Sequence, residues 1–275
     1  MWNGLKNIGK KISKMRIKRL EFSDYNRGVI AFTTERGVVD PRDSYSSFNC
    51  CYYTGDDDRH VQKCREELCR EIGVSDDALV LPRQVHGTEV FIVDTGFMRQ
   101  SAEVKRERLQ GIDAVVTNMP GVAVGVFTAD CVPMLFWEPK VRIIGVAHGG
   151  WKGTVAGVAN STIDAMERLG ADVNEIRVTF GPAICQHCFE VGEEVVEAYE
   201  MGGFDMNRVC RRNHDTGKAH IDLVEANVEL LLKKGIAKDH ITKSDLCTKC
   251  HPDEFFSARV LGINSGRVVT GIAMK

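Results

Sequence analysis

Residues 121–150 read GVAVGVFTADCVPMLFWEPKVRIIGVAHGG. They hold three short apolar runs, VAVGVFT (122–128), MLFW (134–137) and RIIGVA (142–147), parted by Ala-Asp-Cys and by Glu-Pro-Lys. Runs so short and β-branched read as strands, and apolar residues on both faces place each strand between two covered layers. Similar runs recur on either side: GVIAFT (28–33), ALVLP (78–82), EVFIV (89–93), DAVVT (113–117), IRVTF (176–180) and RVVTGIAM (267–274).

Three stretches have helical spacing instead. DDDRHVQKCREELCREIG opens on three aspartates, which suit a helix N-terminus. It places Val61, Cys64, Leu68, Cys69 and Ile72 on one face and stops at Gly73. TVAGVANSTIDAMERLG puts Val155, Val158, Ala159, Thr162, Ile163, Met166 and Leu169 on one side and stops at Gly170. DLVEANVELLLKKG opens at Asp222 and stops at Gly235. Each ends in a glycine able to take the left-handed turn that closes many helices. Helices and strands are interspersed but the middle third is almost all strand, which predicts a mixed-sheet α+β or layered α/β domain rather than a regular doubly wound one.

The chain has 275 residues, 43% apolar and 27% charged, with a formal charge of -2. There is no repeat and no long linker, so one domain is expected over 21–275, after a basic arm at 1–20 that reads as a solvated tail. The near-neutral balance argues against a dedicated nucleic-acid binder. The longest apolar run (Val122 to Ala129) is far short of the roughly 20 residues that span a bilayer. With no apolar signal-like segment near the start, a cytoplasmic protein is expected, its ten cysteines reduced or metal-bound.

Three segments resist explanation by packing alone: RQVHGTEV with His86, VFTADCVPMLFW with Asp130 and Cys131, and IIGVAHGGWKGT with His148. Each sets an imidazole or thiol at a strand end, where loops present functional groups on a rigid base. Two histidines and one cysteine suit zinc, and three protein ligands leave a fourth position open, as in catalytic sites. Satisfied core residues beside glycine turns are the plainer alternative. HGGWKGT also leads into a helix expected near Val155, where backbone N–H groups and Lys152 could hold an anion, or where a tight turn simply carries a surface lysine.

The other cysteines compete with this reading. LCTKCHPD contains the C-x-x-C-H of haem attachment, and AICQHCFE a second C-x-x-C. Together Cys185, Cys188, Cys247 and Cys250 could imitate a zinc knuckle, but the pairs lie about 60 residues apart, longer than such sites usually span. Reduced thiols packed near a pocket is the reading adopted.

Taken in order, RQVHG, TADCVPMLF, AHGGWKGT, GPAICQHCFEVG, HIDLVEAN, LCTKCHPDEFFSAR and GRVVTGIAMK resemble the YfiH/YlmD family, also called the laccase-domain or multicopper polyphenol oxidase family. The resemblance runs from about Gly28 to Lys275. It implies a layered α/β/β/α fold with mixed sheets. It implies a zinc enzyme that cleaves purine nucleosides, methylthioadenosine included, with phosphate, and that deaminates adenosine. The metal ligands carry over as His86, Cys131 and His148. Asn49 in SSFNC matches a candidate substrate contact, and Lys152 and Arg259 match basic residues suited to phosphate. Lys152 stands where the family usually has arginine, keeping the charge and losing the planar fork. Gly149 replaces an alanine, and Val260 stands where a second arginine is common.

On this reading zinc makes water a nucleophile near neutral pH, Lys152 and Arg259 hold phosphate, and Asp130 serves as acid, base or ligand support, or merely caps its strand. Two rivals come from other classes. Copper fits the same three residues, but eight histidines with no H-x-H pair do not suit a laccase's three-copper cluster. The family is also similar to toxin-type cysteine deamidases, which suggests a hydrolase using Cys131 and His148. A monomer is expected.

Overall fold

A computed structural model describes residues 17–23, 27–40 and 42–275. Its strands are, in chain order, β1 (Ile17–Leu20), β2 (Val29–Thr34), β3 (Leu79–Val80), β4 (Val90–Val93), β5 (Ala114–Thr117), β6 (Ala123–Thr128), β7 (Val132–Glu138), β8 (Ile143–Gly149), β9 (Arg177–Phe180), β10 (Glu190–Val191), β11 (Cys210–Arg212), β12 (Ala219–Ile221), β13 (Ile241–Thr242) and β14 (Val268–Met274). They form a five-stranded sheet β1-β2-β14-β6-β3, a six-stranded sheet β13-β9-β7-β8-β5-β4 and a small sheet β10-β12-β11. Both large sheets are mixed: β3–β6, β4–β5 and β9–β13 are parallel, the other pairs antiparallel.

The period-2 alternation of side chains builds the layers. In β7, Val132, Met134 and Phe136 pack with Ala159, Ile163 and Leu231 of two covering helices. The intervening Leu135 and Trp137 pack with Val124, Val126 and Ile272 of the other sheet. That sheet's outer face, with Phe32, Phe127 and Val269, takes Cys64, Leu68 and Ile72 of a helix. The order is therefore helix, sheet, sheet, helix, in one domain, and every residue of β5, β6, β7, β8 and β14 is buried.

Two of the three expected helices form as read. Asp58–Ile72 is capped by the Asp57 carboxylate, buries the five residues named above and ends at Gly73. Leu223–Lys234 is capped by Asp222 and ends at Gly235. The third is a correction. Its chain forms two helices, Trp151–Ala156 and Val158–Arg168, because Gly157 takes a left-handed backbone (φ 87) that breaks the run. The basic arm also differs from the solvated tail expected: its last four residues are β1, paired antiparallel with β2, and Lys18 bonds Glu254 and Glu35. The rest of the arm, 1–16, lies outside the described residues. No helix among the described residues is long and apolar enough to cross a membrane.

Candidate metal centre and adjoining cleft

The connection from β6 to β7 carries the chain from one large sheet to the other, and Cys131 sits at its end, next to Val132. Val132 pairs with Gly149 and Pro133 with His148 across β7 and β8, so strand register brings Cys131 beside His148. His86 arrives on the loop before β4, at the same end of the strands of this sheet. The donor atoms of His86, Cys131 and His148 all lie within 4.8 Å of one another. Cys131 Sγ is 3.8 Å from His86 Nε2. Zinc–sulfur and zinc–nitrogen bonds of about 2.3 and 2.0 Å at a tetrahedral angle put sulfur and nitrogen about 3.5 Å apart. The three donors fit a metal ion.

Asp113 organises this cluster. Its carboxylate accepts the backbone N–H groups of Val85, His86 and Gly87 at 3.1, 2.9 and 2.8 Å. The same carboxylate bonds His148 Nδ1 at 2.9 Å. Three amides on one carboxylate hold His86 in a left-handed backbone (φ 64) that a histidine would otherwise avoid. A carboxylate on Nδ1 also leaves Nε2 of His148 free for a metal. Sequence reading passed over Asp113 because it begins the strand-like DAVVT. An acid at the mouth of an apolar strand is the one signal it offers.

The electrostatics follow from these contacts. Burial pushes the Cys131 thiol up, but His148 and then His86 outweigh it and bring it down to about 6. Burial pushes His148 down, while Cys131 and Asp113 outweigh that and raise it to about 9. Burial likewise opposes ionisation of Asp113, and the bonds from His148 and the amides still hold it below its usual range. Both shifts favour a thiolate on Cys131 and an imidazolium on His148 in the metal-free pair.

A cavity of about 290 Å³ lies over the donors, walled by His86, Cys131, Trp151, Lys152, Phe189 and Leu223. Trp151 and Phe189 also border a second cavity of about 620 Å³, which Arg259 and Lys218 line. The two make one cleft. Lys152 is exposed with its ammonium 5.5 Å from the Trp151 ring centre. The Arg259 guanidinium lies 5.1 Å over the Phe189 ring and donates to the Glu190 carbonyl at 2.9 Å.

Two expected residues are placed differently. Asn49 is 0% exposed, and its amide bonds Asp56 and the backbone of Cys51 and Arg267. It is not among the residues that wall either cavity. Asp130 borders the cavity at φ 90, but its oxygens accept from Thr248 Oγ1 at 2.7 Å and from the Arg259 amide at 2.8 Å. The two C-x-x-C pairs also depart from the packed-thiol reading. Cys185, Cys188, Cys247 and Cys250 converge, their sulfurs all within 4.8 Å of one another.

Fold and site together define a four-layer α/β/β/α protein with a two-histidine, one-cysteine cluster suited to a metal ion at the ends of β7 and β8. The chain belongs to the family described as multi-copper polyphenol oxidoreductase laccase, which matches residues 29–275. It is 45% identical over 259 residues to a protein named adenosine deaminase RL5 from an unknown prokaryotic organism, covering 94% of this chain and 99% of that one. It is 40% identical over 242 residues to a purine nucleoside phosphorylase of Bacteroides thetaiotaomicron, covering 88% and 90%. The crystal structure of YlmD from Geobacillus stearothermophilus superposes with a TM-score of 0.82 at 28% identity, over 90% of this chain and 93% of that one.

Proposed function

We propose that this protein is a zinc-dependent enzyme of purine nucleosides. It splits adenosine and related nucleosides, methylthioadenosine among them, with phosphate, and it converts adenosine to inosine with water. The observation that carries the reading is the convergence of His86, Cys131 and His148 beneath a cleft with cationic and aromatic walls. The names of the relatives, a deaminase and a phosphorylase, support the choice of substrate. His86, Cys131 and His148 would hold the ion, which when bound supplies a Lewis acid able to lower the pKa of water from about 15.7 toward roughly 7.

The chain's own residues do the rest. Asp113 keeps a proton on His148 Nδ1 and locks the loop of His86 in place. Trp151, Phe189 and Leu223 offer apolar surface to a purine ring and exclude water from its faces. Lys152 and Arg259 offer charge-assisted bonds to phosphate. Phosphate attacks the ribose carbon, the bond to the base breaks, and the base leaves with the bonding pair and takes a proton, giving free base and ribose 1-phosphate. Asp130, spent on Thr248 and on the Arg259 amide, acts as a positioning residue that sets Arg259 at the cleft rather than as an acid or base.

Zinc is favoured over copper because candidate ligands among the described residues gather in two groups, neither holding the histidines of a three-copper cluster. A monomer is the working unit in this proposal. Ten free thiols support a reducing compartment such as the cytoplasm. Metal-loaded protein incubated with adenosine should yield adenine and ribose 1-phosphate when phosphate is present, and inosine with or without it. Both products should vanish in His86→Ala. Stoichiometric zinc with neither product would end the nucleoside reading.

A second reading rests on the thiolate–imidazolium pair with Asp113 behind it, an arrangement that also suits a cysteine nucleophile. Iodoacetamide decides between them. Zinc-loaded protein should be protected at Cys131, and alkylation as fast as in the metal-free protein would favour the nucleophile.

A further inference from the structure

The second group of donors is Cys185, Cys188, Cys247 and Cys250, two of them just before Phe189 in the chain. Cys185 caps a 3-10 turn (Gln186–Cys188) that ends on Cys188, and Cys247 and Cys250 lie in a turn in which His251 N–H bonds Cys247 O at 3.0 Å. A parallel bridge between Ala183 and Cys247 sets the two turns side by side, with Ala183 N–H on Leu246 O and Thr248 N–H on Ala183 O, both at 3.2 Å. Beside this bridge Cys185 meets Cys247 and Cys188 meets Cys250, residues 62 positions apart in both pairs.

The sulfur geometry is that of a coordination shell. Four sulfurs about 2.3 Å from a central ion occupy a tetrahedron with edges of about 3.8 Å. Here Cys188 Sγ is 3.5 Å from Cys250 Sγ, and all four sulfurs lie within 4.8 Å of one another. A disulfide would need about 2.05 Å, so no pair is bonded. The Cys185 amide donates to Cys247 Sγ at 3.3 Å, a bond that favours a thiolate on Cys247. Four thiolates packed together without a cation would repel one another.

We propose that Cys185, Cys188, Cys247 and Cys250 form a second metal site, a closed tetrathiolate centre that takes zinc and clips the 183–191 segment to the 246–259 segment. The donor set is soft and fills all four tetrahedral positions, which is the pattern of a structural zinc and not of a reacting one. Binding releases the thiol protons to solvent and changes no oxidation state. Phe189 and Glu190 follow directly on one turn, and Thr248 and Arg259 belong to the other segment. The clip therefore holds together two segments that the Arg259–Glu190 bond also joins. This assignment stands whatever the cleft's substrate proves to be.

Metal content of the purified full chain tests it. We expect two zinc ions per chain in the wild type, and one in His86→Ala/Cys131→Ala, where only the tetrathiolate remains. Cobalt substituted into that variant should give the intense thiolate-to-metal absorption of a four-sulfur site. Cys185→Ser/Cys250→Ser should also fall from two to one, keeping the ion at His86. The proposal is overturned if the wild type binds one zinc that is lost with His86 and Cys131. It is overturned equally if the cysteine variant still binds two, or if the intact mass is two hydrogens short with Cys188 and Cys250 disulfide-linked. Should the cysteine variant fail to fold, the metal content and cobalt spectrum of His86→Ala/Cys131→Ala still decide the matter.

Discussion

Asp113 and His148 are joined twice: Nδ1 of the histidine meets the Asp113 carboxylate at 2.9 Å, and the histidine amide donates to the Asp113 carbonyl at 2.8 Å. The double link ties ring orientation to strand register, since β5 and β8 pair immediately beyond it. A side chain that also gathers three loop amides holds two of the three candidate donors, His86 and His148, in place.

Asp113→Asn tests this. The amide keeps the shape and one acceptor oxygen but no longer favours a proton on Nδ1 of His148. Loss of such a partner typically costs 10- to 100-fold in metal affinity. Competition against a chromogenic chelator should show a drop of that size at the histidine site. An unchanged affinity would mean that His148 holds its tautomer without help.

Much of this was legible along the chain, and the boundary is physical. The helix Asp58–Ile72 buries Val61, Cys64, Leu68, Cys69 and Ile72, the face its spacing shows, because an amphipathic helix is decided by neighbours three and four residues away. The long strands were visible for the same reason. Which sheet each strand joins was not, since β6 and β7 adjoin in sequence yet lie in different sheets. Strands β10 and β12, of two and three residues, carry too few side chains to show a period. The residues of the site divide in the same way. His86, Cys131 and His148 announce their chemistry by type and by position at strand ends. Asn49 has the right type but lies in loops that bury it, and the four thiols needed the Ala183–Cys247 bridge to meet.

The coupled pair predicts a pH response in reactivity rather than in stability. In metal-free protein Cys131 loses its proton near pH 6 and His148 holds one to about 9. The depressed thiol alone would make the folded state gain stability as pH rises from about 6 to 9. The raised imidazole alone would make it lose stability from about 6.5 to 9. Folded and unfolded chains each hold one proton on the pair across that window, so the two slopes cancel. Iodoacetamide should therefore label Cys131 with a midpoint near pH 6, while the melting temperature shows no matching step. In Asp113→Asn the imidazolium loses support and the labelling midpoint should move up. A midpoint near 9 in the wild type would show that no ion pair forms.

Gly150 is a glycine for lack of space. Its backbone (φ -73, ψ 164) suits any residue, so Ala brings no backbone strain. An added Cβ, however, would lie 2.5 Å from His86 Cδ2 and 3.3 Å from Cys131 Sγ. His86 must swing away, and displacements near 1 Å in an active site cost about 100-fold in rate. Gly150→Ala should bind zinc at least about 10-fold more weakly at the histidine site and melt close to the wild type. Full metal affinity in this variant would mean that the loop of His86 yields more easily than three bonds to Asp113 suggest.

Lys152 and Arg259 separate the two proposed reactions. Phosphate is a substrate of one and water of the other, so removing a phosphate contact should damage only the first. A hydrogen bond to a charged group contributes about 1.5–3 kcal/mol, or about 10- to 150-fold. Lys152→Ala and Arg259→Ala should each lower kcat/KM for phosphorolysis within that range, mainly through KM for phosphate, and leave conversion of adenosine to inosine within about threefold. Lys152→Arg restores a planar fork at the same place and should bind phosphate at least as well as lysine does. Arg259 also rests on Phe189 and Glu190, so its loss can loosen the cleft wall. Equal damage to both reactions in Arg259→Ala, with Lys152→Ala affecting phosphorolysis alone, would give Arg259 to the wall and leave phosphate to Lys152.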